Sequence, residues 1–302
     1  MGRLAADFAE RRLAKPVAAG EFYGKEAVKR LIDGGLEGGK RMKLSEMMKI
    51  FEQDFPPYYA EEWDNVGLLV GDEEAEIYRV LISLDASDEA LDYARVLGAD
   101  LILTHHPLLF KPLRKVTEQH FISRRVRCMI RENINCYAMH TNFDLARMAD
   151  LNAADLGLLN PAILTEAGEN REGQPIGYGR IGKLQSPLPL EDFAGKVREA
   201  MELPGVRVYG ELSGLIRTVA VSSGAGKMSI DDAIKKGADV LVTGDLDYHS
   251  AIDAVSRGLS MIDAGHYGTE LTFIRFMEGY VEEHFPELET YSMAIRQPYQ
   301  IV

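Results

Sequence analysis

Apolar positions along this chain fall alternately into short solid runs and into helical stripes. Val80 to Leu84, Leu101 to Thr104 and Ile134 to Met139 are runs of strand length, and Asp88 to Leu97 and Val116 to Arg131 between them space their apolar residues as helices do. This order predicts βαβ units. Upstream, Leu44, Met47, Met48 and Phe51 fall at i, i+3, i+4 and i+7, which predicts an amphipathic helix that Pro56-Pro57 terminates. A short strand follows between Gly67 and Gly71. The only tryptophan, Trp63, stands beside Asp64 and Asn65, where it reads as a core anchor ahead of a direct substrate contact.

The pattern then repeats. Gly98-Ala99-Asp100-Leu101-Ile102-Leu103-Thr104 recurs as Gly237-Ala238-Asp239-Val240-Leu241-Val242-Thr243, an offset of 139 residues (237 minus 98). Each copy is preceded by an apolar run opened by arginine, Arg79 to Leu84 and Arg217 to Val221. In the second copy a helix over Tyr248 to Val255 and a strand over Leu259 to Ala264 follow, and Leu271, Ile274, Met277 and Val281 mark a closing helix. Between the copies, Gly177 to Gly182 predicts a β segment and Glu191 to Met201 a helix. The expected organisation is an N-terminal extension over 1–41, with a glycine-rich linker and a short helix from Lys25 to Ile32, a first α/β lobe over 42–158 and a second over 159–302.

Composition narrows the function. The net charge of −13 argues against general nucleic-acid binding, which calls for an excess of lysine and arginine on one face. No apolar stretch reaches membrane-spanning length, so no membrane role is expected, and two cysteines (Cys128 and Cys136) suit free thiols in a reducing cytoplasm. The basic stretch with Arg124, Arg125, Arg127 and Arg131 reads as a solvated helix face. Ser222 to Met228 resembles a phosphate loop only superficially, because Val221 replaces the leading glycine and Met228 the magnesium-binding hydroxyl; it remains a candidate for cradling a substrate phosphate.

The chemistry concentrates where strands end. His105 and His106 follow Thr104 directly, and Pro107 prevents a helix from starting there. His140 follows the next strand with Asp144 four residues on, and His266 follows the last with Glu270 four residues on. In an open α/β sheet ligands collect at the carboxyl ends of strands. Three histidines at such tips (His105, His106, His266) with two carboxylates (Asp144, Glu270) can hold two divalent metal ions if one carboxylate bridges them. Nitrogen and oxygen donors without thiolate suit zinc, iron, manganese or nickel alike. His140 is either a further ligand or a proton carrier. A metal pair can activate water for hydrolysis of a small-molecule substrate.

Trp63-Asp64-Asn65-Val66-Gly67, Thr104-His105-His106-Pro107, His140-Thr141-Asn142 with Asp144, and Gly265-His266-Tyr267 with Glu270 together resemble the NIF-three-like family, also labelled GTP cyclohydrolase type 2 homologues. The resemblance spans Met42 to the C-terminus. It implies a duplicated three-layer α/β/α fold with mixed sheets facing a shared cleft, a dinuclear metal centre, a homohexamer and, as substrate, a purine nucleotide such as GTP, with His140 or Asp245 moving protons. It places His105, His106, Asp144, His266 and Glu270 at the ligand positions. Asp245 stands where the family usually has glutamate, and Phe143 where a smaller aliphatic residue is common. The family's interaction-based name also admits a non-catalytic metal-binding or protein-interaction scaffold.

Overall fold

A computed structural model describes residues 41–293. The expected helix over Lys25 to Ile32 and the glycine linker lie outside the described residues. The described chain divides into two compact units, each discontinuous in sequence: residues 41–51, 65–139 and 277–293 form the first, and 52–64 with 140–276 the second. Both are mixed α/β with mixed sheets. No helix among the described residues is long and apolar enough to cross a membrane.

The first unit pairs two short strands, β1 (Met42–Lys43) and β3 (Glu76–Ile77), and is built on a five-stranded sheet. Its parallel centre is β4 (Arg79–Ser83), β5 (Leu101–Thr104) and β6 (Asn135–Ala138), flanked by antiparallel β2 (Gly67–Val70) and parallel β13 (Glu289–Ser292). Successive residues of a strand point to opposite faces, and here both faces are covered, which is why the sequence shows solid apolar runs instead of alternation. Leu81, Ile102 and Cys136 pack with α2 (Asp88–Leu97) and α3 (Phe121–Glu132). On the other face Tyr137 meets Phe51 of α1 (Leu44–Asp54) at 5.6 Å between ring centroids, and Phe51 meets Phe285 at the same distance. Ser87 caps α2 by accepting from the Ala90 N–H, and Gly98 ends it in the left-handed region.

The second unit carries a six-stranded sheet in the order β7-β8-β10-β11-β12-β9. The strands are β7 (Leu159–Glu169), β8 (Pro175–Pro189), β9 (Arg207–Tyr209), β10 (Leu215–Val221), β11 (Val240–Thr243) and β12 (Ser260–Asp263). Alternate residues again serve opposite layers. Val219, Val221, Val240, Val242 and Ile262 pack with Phe193 and Val197 of the helix Leu190–Ala200, while Ala220, Leu241 and Met261 pack with Ala233 and Ala254 of the helices Ile230–Lys235 and Tyr248–Ser256.

The duplication is reproduced bond for bond. Val80 pairs with Leu101 and Val219 with Val240, the same register 139 residues on. Asp100 accepts from the backbone N–H groups of Tyr78 and Arg79, and Asp239 from those of Arg217 and Thr218. Each carboxylate thereby satisfies donors at the start of the neighbouring strand. The repeat also reaches further upstream than the sequence echo: in each unit a helix (Leu44–Asp54, Leu190–Ala200) and an antiparallel edge strand (β2, β9) precede the βαβ core.

Two expectations change. α3 begins at Phe121 rather than Val116, with Ser123 donating to the Lys115 carbonyl in the segment before it. Trp63 is 56% exposed and so is not a core anchor. The basic face of α3 is paired as a solvated face would be, with Arg124 and Arg125 both on Asp88 and Arg127 on Glu118.

Candidate metal centre

In the first unit the backbone leaves the sheet after Thr104, and His105 and His106 follow. Their ring centroids are 5.0 Å apart with planes tilted by 48°. His105 is fully buried and its Nδ1 donates to the Met139 carbonyl at 2.8 Å. His106 is half-buried and its Nδ1 donates to Asp85 Oδ1 at 3.0 Å, from just beyond the end of β4.

In the second unit, His140 follows β6 by two residues and its Nδ1 donates to Asp64 Oδ1 at 2.9 Å. His266 lies on a short helix, Gly265–Glu270, rather than on the strand tip itself, and its Nδ1 donates to Asp245 Oδ2 at 2.9 Å. Four residues on, one helical turn, Glu270 is buried with Oε1 3.1 Å from His266 Nε2. Asp144 opens a π-helical turn, Asp144–Met148, inside the helical segment that starts at Thr141, and its N–H donates to the His140 carbonyl. Such wide turns re-aim side chains and recur at functional sites.

All four histidines thus share one feature. A carbonyl or an ionised carboxylate only accepts, so it fixes a ring proton on Nδ1 and turns Nε2 to the other side. Metal-ligating histidines are held in this way by an acceptor behind the ring. The chain therefore has histidine and carboxylate groups fitted to hold a metal ion, with nitrogen and oxygen donors and no thiolate. Cys136 is buried, and burial pushes its thiol up to about 12, where it stays protonated.

Two of the orienting acids, Asp64 and Asp85, stand outside the ligand set expected from the sequence. Asp85 precedes His106 by 21 residues and Asp245 precedes His266 by 21. Both pairs join adjacent parallel strand ends, β4 to β5 and β11 to β12, but at the 139-residue offset β11 is the counterpart of β5, so the equal spacing reflects one crossover step in each sheet and not a duplicated pair. Asp245, expected to move protons, stands behind His266 in the left-handed region at φ 53°.

Asp64 is tied more tightly. Its carboxylate is fully buried, which alone would raise its pKa, but hydrogen bonds from His140 and from the hydroxyl and N–H of Thr141 outweigh burial and bring it down to about 2. Nearby, Tyr178 donates to Glu61 Oε1 at 2.8 Å; burial, Glu61, and the charges of Asp144 and Asp64 push its phenol well above the ordinary range.

The glycine turn does not cradle an anion by its first donors. The N–H groups of Gly224 and Gly226 donate to the hydroxyls of Thr269 and Thr243, at 2.8 and 2.9 Å. Its glycine serves a different end. At φ 59° Gly224 passes so close that a Cβ would sit 2.7 Å from Glu270 Oε1 and 3.3 Å from the His266 ring, so a side chain there would press on both.

The sequence matches the Duf34/NIF3 (NGG1p interacting factor 3) family over residues 42–298. A protein of Clostridium perfringens named GTP cyclohydrolase 1 type 2 homolog is 34% identical over 231 residues, covering 76% of this chain and 87% of its own. One of the same name from Streptomyces coelicolor is 35% identical over 235 residues, covering 76% and 81%. The crystal structure of a Bacillus cereus protein related to NIF3 superposes with a TM-score of 0.80 at 26% identity, covering 87% of this chain and 100% of that one.

Proposed function

The chain belongs to the Duf34/NIF3 family, and from that premise we propose that it is a metal-dependent hydrolase that opens the ring of a purine nucleotide, with two divalent ions held by His105, His106, Asp144, His266 and Glu270. The observation that carries this reading is the acceptor behind His105, His106 and His266, which presents Nε2 of each as the ligand atom, with Asp64 behind His140 turning that ring's Nε2 to proton transfer. Zinc, iron, manganese and nickel all suit the donors. When bound, such ions supply Lewis acidity and a hydroxide nucleophile near neutral pH.

The protein's own groups divide the remaining work. Asp85 and Asp245 lock the rings of His106 and His266, and Gly224 leaves room for Glu270. His140 takes a proton at Nε2 from the attacking water and returns it to the leaving ring nitrogen, while the ionised Asp64 stabilises the imidazolium formed in between. The relatives named as GTP cyclohydrolase homologs support a purine nucleotide as the substrate. A homohexamer is part of the same proposal, and light scattering that returns a monomer mass refutes that part alone.

The test is metal analysis of the purified protein followed by a panel of purine nucleotides and phosphoesters. Glu270→Ala should lower both metal content and turnover. Metal retained with no turnover across the panel would refute the hydrolase and favour a metal-binding scaffold.

A further inference from the structure

The chain has one tryptophan and does not bury it. A large aromatic left outside the core forgoes part of the burial that usually places it there. The backbone around it, moreover, is held. Asp64 N–H donates to the Glu61 carbonyl at 2.9 Å, Glu61 N–H donates to Thr141 Oγ1 at 3.0 Å, and the next side chain along, Asp64, is clamped on His140 and Thr141. The indole meets the His140 ring edge-to-face, with centroids 6.0 Å apart and planes at 75°. An exposed π surface is thus set, on a backbone tied down beside it, against the histidine to which proton transfer is assigned.

We propose that Trp63 is a specificity residue, a stacking wall for the planar heteroaromatic ring of the substrate. A flat ring laid on the indole would lie within reach of His140, whereas a sugar phosphate without a base would gain nothing from the indole. Base-on-aromatic stacking needs no base-specific hydrogen bond, so it selects purine-like rings as a class. The net charge of −13 favours a single nucleoside or nucleotide over a nucleic-acid strand. This inference rests on the hydrolase reading in taking His140 as part of the same site.

Because Trp63 is the sole tryptophan, its fluorescence reports on this position alone. Metal-loaded full-length protein is titrated with guanosine and, separately, with ribose 5-phosphate. Saturable quenching by guanosine and none by ribose 5-phosphate is expected. Trp63→Leu, followed by calorimetry, should bind guanosine roughly tenfold or more weakly with metal content unchanged, and Trp63→Phe should recover part of the loss. Equal affinity in wild type and Trp63→Leu overturns the proposal, as does an emission maximum that shifts on dilution, which would show the indole covered by another copy of the chain. Quenching without turnover refutes the hydrolase and leaves the stacking wall standing; turnover without quenching does the reverse.

Discussion

Replacing Asp64 with asparagine removes the charge behind His140 while keeping the side-chain shape. The carboxylate is fully buried and its pKa falls from 3.8 to about 2, because hydrogen bonds from His140 and Thr141 outweigh the cost of burial. A depressed acid stabilises the folded state above its unfolded pKa and loses that contribution as pH falls through the folded value. A shift of nearly two units corresponds to about 2 kcal/mol, present above about pH 4 and gone near pH 2. Asparagine cannot supply it at any pH, and its amide nitrogen cannot accept from Thr141. Urea unfolding of metal-stripped wild type and Asp64→Asn, followed through the adjacent Trp63, should therefore differ by about 2 kcal/mol at pH 7. The difference should close as pH falls from 4 towards 2, while other titrating groups cancel between the two proteins. A difference that stays constant from pH 7 to 2.5, or is already absent at pH 7, refutes the assignment of Asp64 as the charged anchor of His140.

Other perturbations test other parts of the argument. Asp245→Ala frees the His266 ring to rotate and change tautomer, and should weaken metal binding by roughly 10- to 100-fold in competition with a chelator while barely changing the melting temperature. Gly224→Ala forces a side chain into the left-handed region and against Glu270, so thermal melts should show a loss of about 1 kcal/mol or more, accompanied by reduced metal content. Asp100→Ala and Asp239→Ala each strip the acceptor from two backbone donors; matched losses of about 1–3 kcal/mol in urea unfolding are expected, and a large effect from only one would break the equivalence of the two repeats.

The parts of the site legible in sequence were those that recur at fixed spacing. His140 with Asp144 and His266 with Glu270 stand four apart, and the helical segments after β6 and β12 bring each pair within one turn. Asp85 is not legible in the sequence because nothing local marks an aspartate after a strand as the partner of a histidine 21 residues later; only the parallel register of β4 and β5 joins them. Trp63 departs from expectation for the opposite reason. Its size argued for the core, and its exposure follows from Asp64 being drawn to Thr141 and His140 some 77 residues away.

Solid apolar runs, the helical stripes between them and the 139-residue echo determined by themselves that this chain is a duplicated α/β protein with paired histidines at a strand end, because burial on both faces and the turn at a sheet edge are local consequences of residue type. Which acid stands behind which histidine, and the return of the last strand to the first sheet through the Glu289–Arg79 register, were decided only by tertiary structure. Hydrogen bonds between residues far apart in sequence obey distance in space, and no periodicity records it.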